Sequence, residues 1–165
     1  MKLIIRKKEF AYICIIPKSN GMEYRYDTSL GRISLQISRA LGKSFEQKAR
    51  EQGVALRADQ WTLISLLFHK GKLTQKEIAD QVYTDKVAVS RLVDRMAGRG
   101  MVVRKPASDD KRARQVSLTR EGEQLYLRME PLARQTIAEA LEGLDEGAVK
   151  RLFGQLDRIM ANLRY

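Results

Sequence analysis

The stretch from Leu73 to Thr119 constrains the fold of this chain more than any other segment. It begins with two short amphipathic helical patterns separated by the turn Tyr83-Thr84-Asp85, and it ends with two valine-rich runs on either side of a charged loop. Two helices followed by a β-hairpin are the order of elements in a winged helix-turn-helix. The sequence therefore predicts a mainly α-helical fold with a small β-hairpin wing.

The first short helix is predicted to start at Thr74 with a capping box. The Thr74 hydroxyl can accept from the Glu77 backbone N–H, and the Glu77 carboxylate can accept from the Thr74 N–H. Thr84 is predicted to cap the second helix, which runs from Asp85 to Gly98. The apolar residues expected to face inward are Ile78, Ala79, Val82, Val89, Leu92, Val93 and Met96.

The wing is predicted from two short β-like runs, Met101 to Lys105 and Gln115 to Leu118. The residues from Pro106 to Arg114 between them would form the hairpin tip. Thr119 then caps a long helix, with Glu121 in its first turn, where a negative charge favours the helix dipole.

Long amphipathic helices flank the winged-helix region. Leu30, Ile33, Ile37, Leu41 and Phe45 recur at helical spacing, and a second helix with Trp61, Ile64, Leu67 and Phe68 ends near Gly71. Two more helices follow Thr119 and Asp145. Helices with such apolar stripes must bury them, and a second copy of the chain offers that surface. The predicted organisation is an extension at residues 1–21, a helical dimerisation region at residues 22–56 and 119–165, and a winged-helix region at residues 57–118.

The charge balance favours a polyanionic partner. The chain of 165 residues has a formal net charge of +11 and a pI of about 9.9, and Lys and Arg gain free energy by releasing counterions from phosphates. Residues 72–121 alone contain twelve basic and seven acidic side chains. The excess therefore lies within the motif that would contact DNA.

Residues 1–21 differ from the rest in their basic character and in the breaker string from Pro17 to Gly21. Two interpretations stay open: Met22 is the natural start, or the segment is an additional strand or arm. Cys14 in this segment is the single cysteine, so an internal disulfide is excluded, and we expect an unreactive thiol. We find no transmembrane segment or signal peptide and expect a cytoplasmic protein.

The second helix of the motif would lie in the major groove of double-stranded DNA. Arg91 is the predicted base contact, since its guanidinium can bind the O6 and N7 of guanine. Val87 and Ala88 offer only apolar contact. The wing arginine Arg112 would enter the minor groove, and Asp110 would hold the tip in shape. The other predicted DNA-binding residues are Thr74, Gln75, Lys76, Lys86, Ser90, Arg95, Lys111 and Arg114.

The chain from about Tyr26 to Leu163 resembles the MarR (multiple antibiotic resistance regulator) family. The resemblance rests on the strings LTQKEIAD, SRLVDRM and RGMVVRK, and above all on DKRARQVSLTREG at residues 110–122. It implies a homodimer that binds a pseudo-palindromic operator, usually represses transcription and is released by a small molecule or oxidant. It also implies that Arg112 is the minor-groove arginine of the wing and that Arg91 lies on the groove-facing surface.

The chain departs from the family pattern at two places. Arg57 stands where the family often has Thr or Ser, which puts the cap of the second helix in doubt, and Val87 and Ala88 replace common hydroxyl residues. The resemblance places an effector between the dimer helices and the winged-helix region. The candidates there are Arg39, Trp61, Ser65 and His69, although a core role for Trp61 and solvated positions for Arg39 and His69 are the simpler interpretation.

Two other classes of function compete with a DNA-binding regulator. An enzyme is disfavoured because one histidine and one cysteine give almost no material for a zinc site or a Cys-His pair, and no phosphate-binding glycine motif is present. We predict no catalytic residues, no metal and no cofactor. A winged-helix module that binds protein is the other class, and a weak dependence of binding on salt would distinguish it.

Overall fold

Helices make up most of the computed structural model, which describes residues 29–106 and 114–163. The elements in chain order are α1 (Leu30–Glu51), α2 (Ala58–Lys70), β1 (Leu73–Thr74), α3 (Gln75–Gln81), α4 (Lys86–Gly98), β2 (Val102–Pro106), β3 (Arg114–Leu118), α5 (Arg120–Ala140) and α6 (Glu146–Asn162). The chain divides into two units, residues 1–42 and residues 43–165. The described part of the first unit, residues 29–42, contains the N-terminal half of α1.

A small antiparallel sheet forms the wing, with strand order β1-β3-β2. In β2 and β3, Val102 pairs with Leu118 and Pro106 pairs with Arg114. The sequence pattern predicts these two strands. It misses β1, because two residues are too short to show the alternation of a strand.

The core of the second unit lies between α2, α3, α4, the sheet and the first half of α5. Its largest fully buried side chains are Leu63, Ile64, Ile78, Val89, Val93, Met96, Val116 and Met129. Phe45 and Ala49, from the second half of α1, belong to the same core. Most of the predicted inward positions of α3 and α4 are therefore buried, while Val82 and Leu92 are half-buried at the edge of this core. Phe68, predicted to belong to the apolar stripe of α2, is exposed.

The start of α2 is capped from another helix. Arg57 precedes α2 and its side chain has no acceptor atom. Instead Glu46 of α1 accepts from the Ala58 N–H at 2.9 Å, and the Gln60 side chain accepts from the Arg57 N–H at 3.1 Å. Glu46 and Gln60 thus supply acceptors that the Arg57 side chain does not provide.

The predicted cap of α4 is wrong by one residue. Asp85, not Thr84, is the N-cap, and its carboxylate accepts from the Ala88 N–H at 2.8 Å. Tyr83, two residues before Asp85, has a φ of 50°, which turns the chain sharply after α3. That turn places Asp85 rather than Thr84 at the helix entrance.

The last helix, α6, contains no buried residue. Asp145 caps it by accepting from the Ala148 N–H at 2.7 Å. Its exposed apolar side chains are Leu152, Phe153, Leu156 and Met160, with Leu163 directly after it. This apolar surface is what a second chain would have to cover.

Candidate nucleic-acid interface

Helix α4 presents the side chains predicted to contact bases. Lys86, Val87, Ala88, Arg91 and Arg95 are exposed, and Ser90 is half-buried. The cap at Asp85 and the buried positions Val89, Val93 and Met96 fix the rotation of the helix about its axis. A helix held in this orientation, with charged side chains exposed on its outer face, can enter a major groove.

The N-terminus of α3 has the predicted capping box. The Glu77 N–H donates to the Thr74 hydroxyl at 3.2 Å, and the Thr74 N–H donates to the Glu77 carboxylate at 2.7 Å. The Thr74 backbone N–H, and after it the Thr74 hydroxyl, lower the pKa of Glu77 because they hydrogen-bond to the charged form of its carboxylate. The box leaves the first N–H groups of the helix, at Gln75 and Lys76, for a phosphate.

The structure brings predicted residues from three elements around one open cleft. Side chains from the start of α3, from α4 and from β3 line it together with one from β2. The lining residues are Thr74, Gln75, Lys76, Lys86, Ser90, Arg104 and Arg114. All but Arg104 were predicted as DNA contacts, and four of the seven carry a positive charge.

Arg104 is the residue that sequence analysis missed. Its side chain is only 22% exposed and forms an ion pair with Asp94. It also donates to the Ser90 backbone carbonyl at 3.2 Å. The string RGMVVRK contains this residue but predicts no role for it, because both of its partners come from a helix ten or more positions away in sequence.

Arg91 and Arg95 lie on the other side of α4, away from the cleft. Together with Asp59 they border a pocket whose floor is apolar and contains Leu63, Ile78, Val82, Val89 and Leu92. Arg95 forms an exposed ion pair with Asp59 at 3.4 Å. Within residues 29–106 and 114–163, the Arg91 guanidinium has no hydrogen bond or ion pair, so it is available to a ligand.

The residues predicted to bind an effector lie in different surroundings. Trp61 stacks between Phe45 and Tyr126, with ring centroids 5.1 and 5.3 Å away. The Tyr126 hydroxyl lies 3.0 Å from the His69 Nε2. Trp61 is thus a packing residue, as the simpler interpretation held. Ser65 is half-buried in α2, and Arg39 is exposed on the part of α1 that belongs to the first unit.

Three predicted wing residues, Asp110, Lys111 and Arg112, lie outside the described residues, as do residues 1–21 with Cys14. Among the residues that are described, no group of His, Cys, Asp or Glu is arranged to hold a metal ion. No helix in this part of the chain has the length and apolar character needed to cross a membrane.

Residues 56–113 match the model of the MarR family. This segment runs from just before α2 through α4 and into the wing. It therefore contains almost all of the predicted DNA-binding residues.

Solved structures of regulators share the fold. A probable transcriptional regulator from Pseudomonas aeruginosa is 27% identical with a TM-score of 0.71, over 82% of this chain and 99% of that one. A MarR variant from E. coli bound to operator DNA is 22% identical with a TM-score of 0.71, over 79% and 92% of the two chains. BpsR from Bordetella bronchiseptica, solved to explain how 6-hydroxynicotinic acid regulates its DNA binding, is 20% identical with a TM-score of 0.73, over 84% and 97%. The predicted fold and the resemblance to the MarR family are confirmed.

Proposed function

Because the chain carries a MarR-family domain over residues 56–113, we propose that it is a transcriptional regulator that binds double-stranded DNA sequence-specifically as a homodimer. The observation that carries the proposal is the exposed polar face of α4 beside a cleft with four cationic side chains. Helix α4 would enter the major groove, and the cleft would take the adjacent phosphates. No enzymatic activity is assigned to the protein.

In this proposal, three groups of residues contact DNA in different ways. Arg91 reads a base edge, since its guanidinium is exposed and unoccupied by other described residues. The DNA backbone is held by a second group, Thr74, Gln75, Lys76, Lys86 and Arg114. These contacts fix the register of the protein on the duplex without reading the base sequence. The wing carries Lys111 and Arg112 into the adjacent minor groove, where arginine finds the strongest negative potential in narrow A·T-rich stretches.

The homodimer is supported by α6, which buries none of its residues in the single chain. Two identical subunits related by a two-fold axis would present two α4 helices to the two halves of a pseudo-palindrome. The spacing between half-sites would then be about one helical turn of DNA.

Genome-fragment selection with purified protein at near-physiological salt tests the proposal. We expect enrichment of an inverted repeat, and we expect the logarithm of affinity for it to fall linearly and steeply with the logarithm of salt concentration. Retention without any shared sequence would leave a non-specific basic protein. Failure to retain DNA would contradict the proposal and favour a protein-binding winged helix.

We further propose that the protein represses transcription and that a small molecule releases it from DNA. The pocket bordered by Asp59, Arg91 and Arg95 supports release by a small molecule. Arg95 is already paired with Asp59, but an apolar floor beside the Arg91 guanidinium suits an aromatic carboxylate. A molecule there would compete with the use of Arg91 on DNA, and DNA would weaken its binding by the same factor. A titration of the protein–operator complex with benzoate, followed by fluorescence anisotropy, checks this; anisotropy that stays constant at saturating benzoate contradicts release by this class of ligand.

A further inference from the structure

Arg104, for which the sequence predicted no role, connects three elements of the winged-helix region. Its Nη1 donates to Asp94 Oδ1 at 2.5 Å and its Nη2 to the Ser90 carbonyl at 3.2 Å, both on α4. With its amide oxygen turned toward the guanidinium, Gln75 at the start of α3 accepts from Nε and Nη2 at 3.1 Å. Strand β2, which carries Arg104, is thereby joined to both helices.

These contacts occupy most of the hydrogen-bonding capacity of Arg104. A guanidinium has five N–H donors; Nη1 uses one, Nη2 uses two and Nε uses one in the contacts above. The planar fork needed for a bidentate phosphate contact is therefore already engaged. The side chain is 22% exposed, in contrast to Arg95 on the other side of α4, which is 52% exposed.

The position of Arg104 in the sheet indicates what its contacts with α3 and α4 do. Arg104 pairs with Val116, and two residues further along β2 Pro106 pairs with Arg114, where the described strands end. At about 3.3 Å per residue, the Cα of Arg104 lies roughly 7 Å from Pro106, the last described residue of β2. A shift of β2 relative to α4 would change the separation between the side chains that enter the two grooves.

The negative charge of Asp94 supports the same interpretation. It is an acidic residue on the helix proposed to enter the major groove, where a free carboxylate repels phosphate. Its contact with Arg104 gives that charge a structural use. The geometry points to Arg104 and Asp94 as a positioning pair, in which Arg104 sets the angle between the recognition helix and the wing and so contributes to operator specificity rather than to general DNA affinity.

This inference rests on the proposed function, and Asp94→Asn separates it from a simple effect of charge. Removing a negative charge from a DNA-binding face strengthens binding to any duplex if charge alone acts. A positioning role predicts the opposite for the operator. We expect Asp94→Asn and Arg104→Gln each to lower operator affinity roughly tenfold, as for the loss of a hydrogen bond to a charged group, and the double variant to lose about as much as either single one.

The test measures the dissociation constants of each variant for the selected operator and for a scrambled duplex of equal length. The ratio of the two constants comes from the same sample, so a fraction of unfolded protein cancels. Lys105→Gln, the exposed neighbour on β2, and Asp80→Asn, an exposed carboxylate of α3, are the matched charge controls. We expect both controls to keep the ratio, and the salt slope of Arg104→Gln to stay at the wild-type value.

Three results are decisive. An Arg104→Gln variant that loses affinity equally for both duplexes, with a salt slope smaller by about one, would show a phosphate contact and overturn the inference. An Asp94→Asn variant that binds the operator as tightly as the wild type or more tightly would overturn it as well. A wild-type protein without any preferred sequence would overturn the proposed function itself, and the positioning role with it.

Discussion

At the scale of single residues, Gly122 determines how closely α5 approaches the turn after α4. Its N–H donates to the Thr119 hydroxyl at 3.1 Å, and the Thr119 N–H donates to the Met101 carbonyl at 3.1 Å. A β-carbon built on Gly122 would overlap that carbonyl oxygen. The string Leu-Thr-Arg-Glu-Gly therefore has a steric reason to end in glycine.

We expect Gly122→Ala to destabilise the protein by about 1–3 kcal/mol, because backbone rather than a flexible side chain must move to admit the methyl group. Urea unfolding monitored by circular dichroism measures the change. Gly98→Ala is the control, since no atom lies within 4 Å of the added carbon there; its effect should stay below about 1 kcal/mol. Equal effects of the two substitutions would contradict the steric argument.

Arg91 is the residue on which base reading depends. We expect Arg91→Ala to weaken operator binding by about 1–3 kcal/mol and to relax the preference at particular base pairs. Selection from a randomised operator library shows both effects. The control Arg158→Ala removes the same charge from α6, outside the winged-helix region, and should leave the base preference unchanged. A uniform loss of affinity for all sequences would make Arg91 a phosphate contact.

Single residues also mark where sequence reasoning stops. The caps at Thr74 and Thr119 follow from local spacing and are found as predicted, and the last helix starts at Asp145 as expected. The cap of α4 differs by one residue, because the choice between Thr84 and Asp85 depends on a backbone turn that the sequence does not reveal. The use of Glu46 to cap α2 depends on how α1 packs, which no local pattern contains.

At the scale of elements, the start of α3 is stabilised by a carboxylate whose pKa lies below its ordinary value of 4.5. The backbone N–H and the hydroxyl of Thr74 cause this, because both bind the charged form. A depressed pKa in the folded state means that this contribution to stability is present above the ordinary value and is lost as the pH falls through the folded value.

We expect the free energy of unfolding of Glu77→Gln to lie below that of the wild type at pH 7 and to approach it as the pH falls below 4.5. Urea unfolding of both proteins between pH 3 and 7 measures the difference. Glu142→Gln, an exposed carboxylate after α5, controls for the loss of charge. A difference that stays constant over the whole range would contradict the role of the Glu77 charge.

The long helices were predictable because their apolar spacing repeats over many residues, whereas β1 was not. Leu73 and Thr74 become a strand only because Val116 and Gln115 lie beside them. The candidate site shows the same limit. Thr74, Lys86 and Arg114 could be predicted from motifs, but their meeting at one cleft, with Arg104 among them, is a property of the folded chain.

At the scale of the whole molecule, the exposed apolar residues of α6 make the proposed homodimer testable. Phe153 is 50% exposed, and a charge at this position would have to be buried in the interface. We expect Phe153→Asp to be monomeric by sedimentation velocity and to bind the operator roughly a hundredfold more weakly, because the two half-sites are no longer held together. Gln155→Asp adds the same charge on the same helix and should stay dimeric. A dimeric Phe153→Asp would place the subunit interface elsewhere.

Thr74 belongs to two elements at once: it pairs with Gln115 as the end of β1, and it caps α3. The wing is consequently not a separable cassette. If residues 102–118 alone were moved into a related protein, β3 would have to pair with that protein's own residues at positions 73 and 74. Those positions are also where α3 must begin. A piece that recombination or protein engineering exchanges with this pairing intact must include at least residues 73–118, so new wing specificities would have to be inherited together with the helices that accompany them.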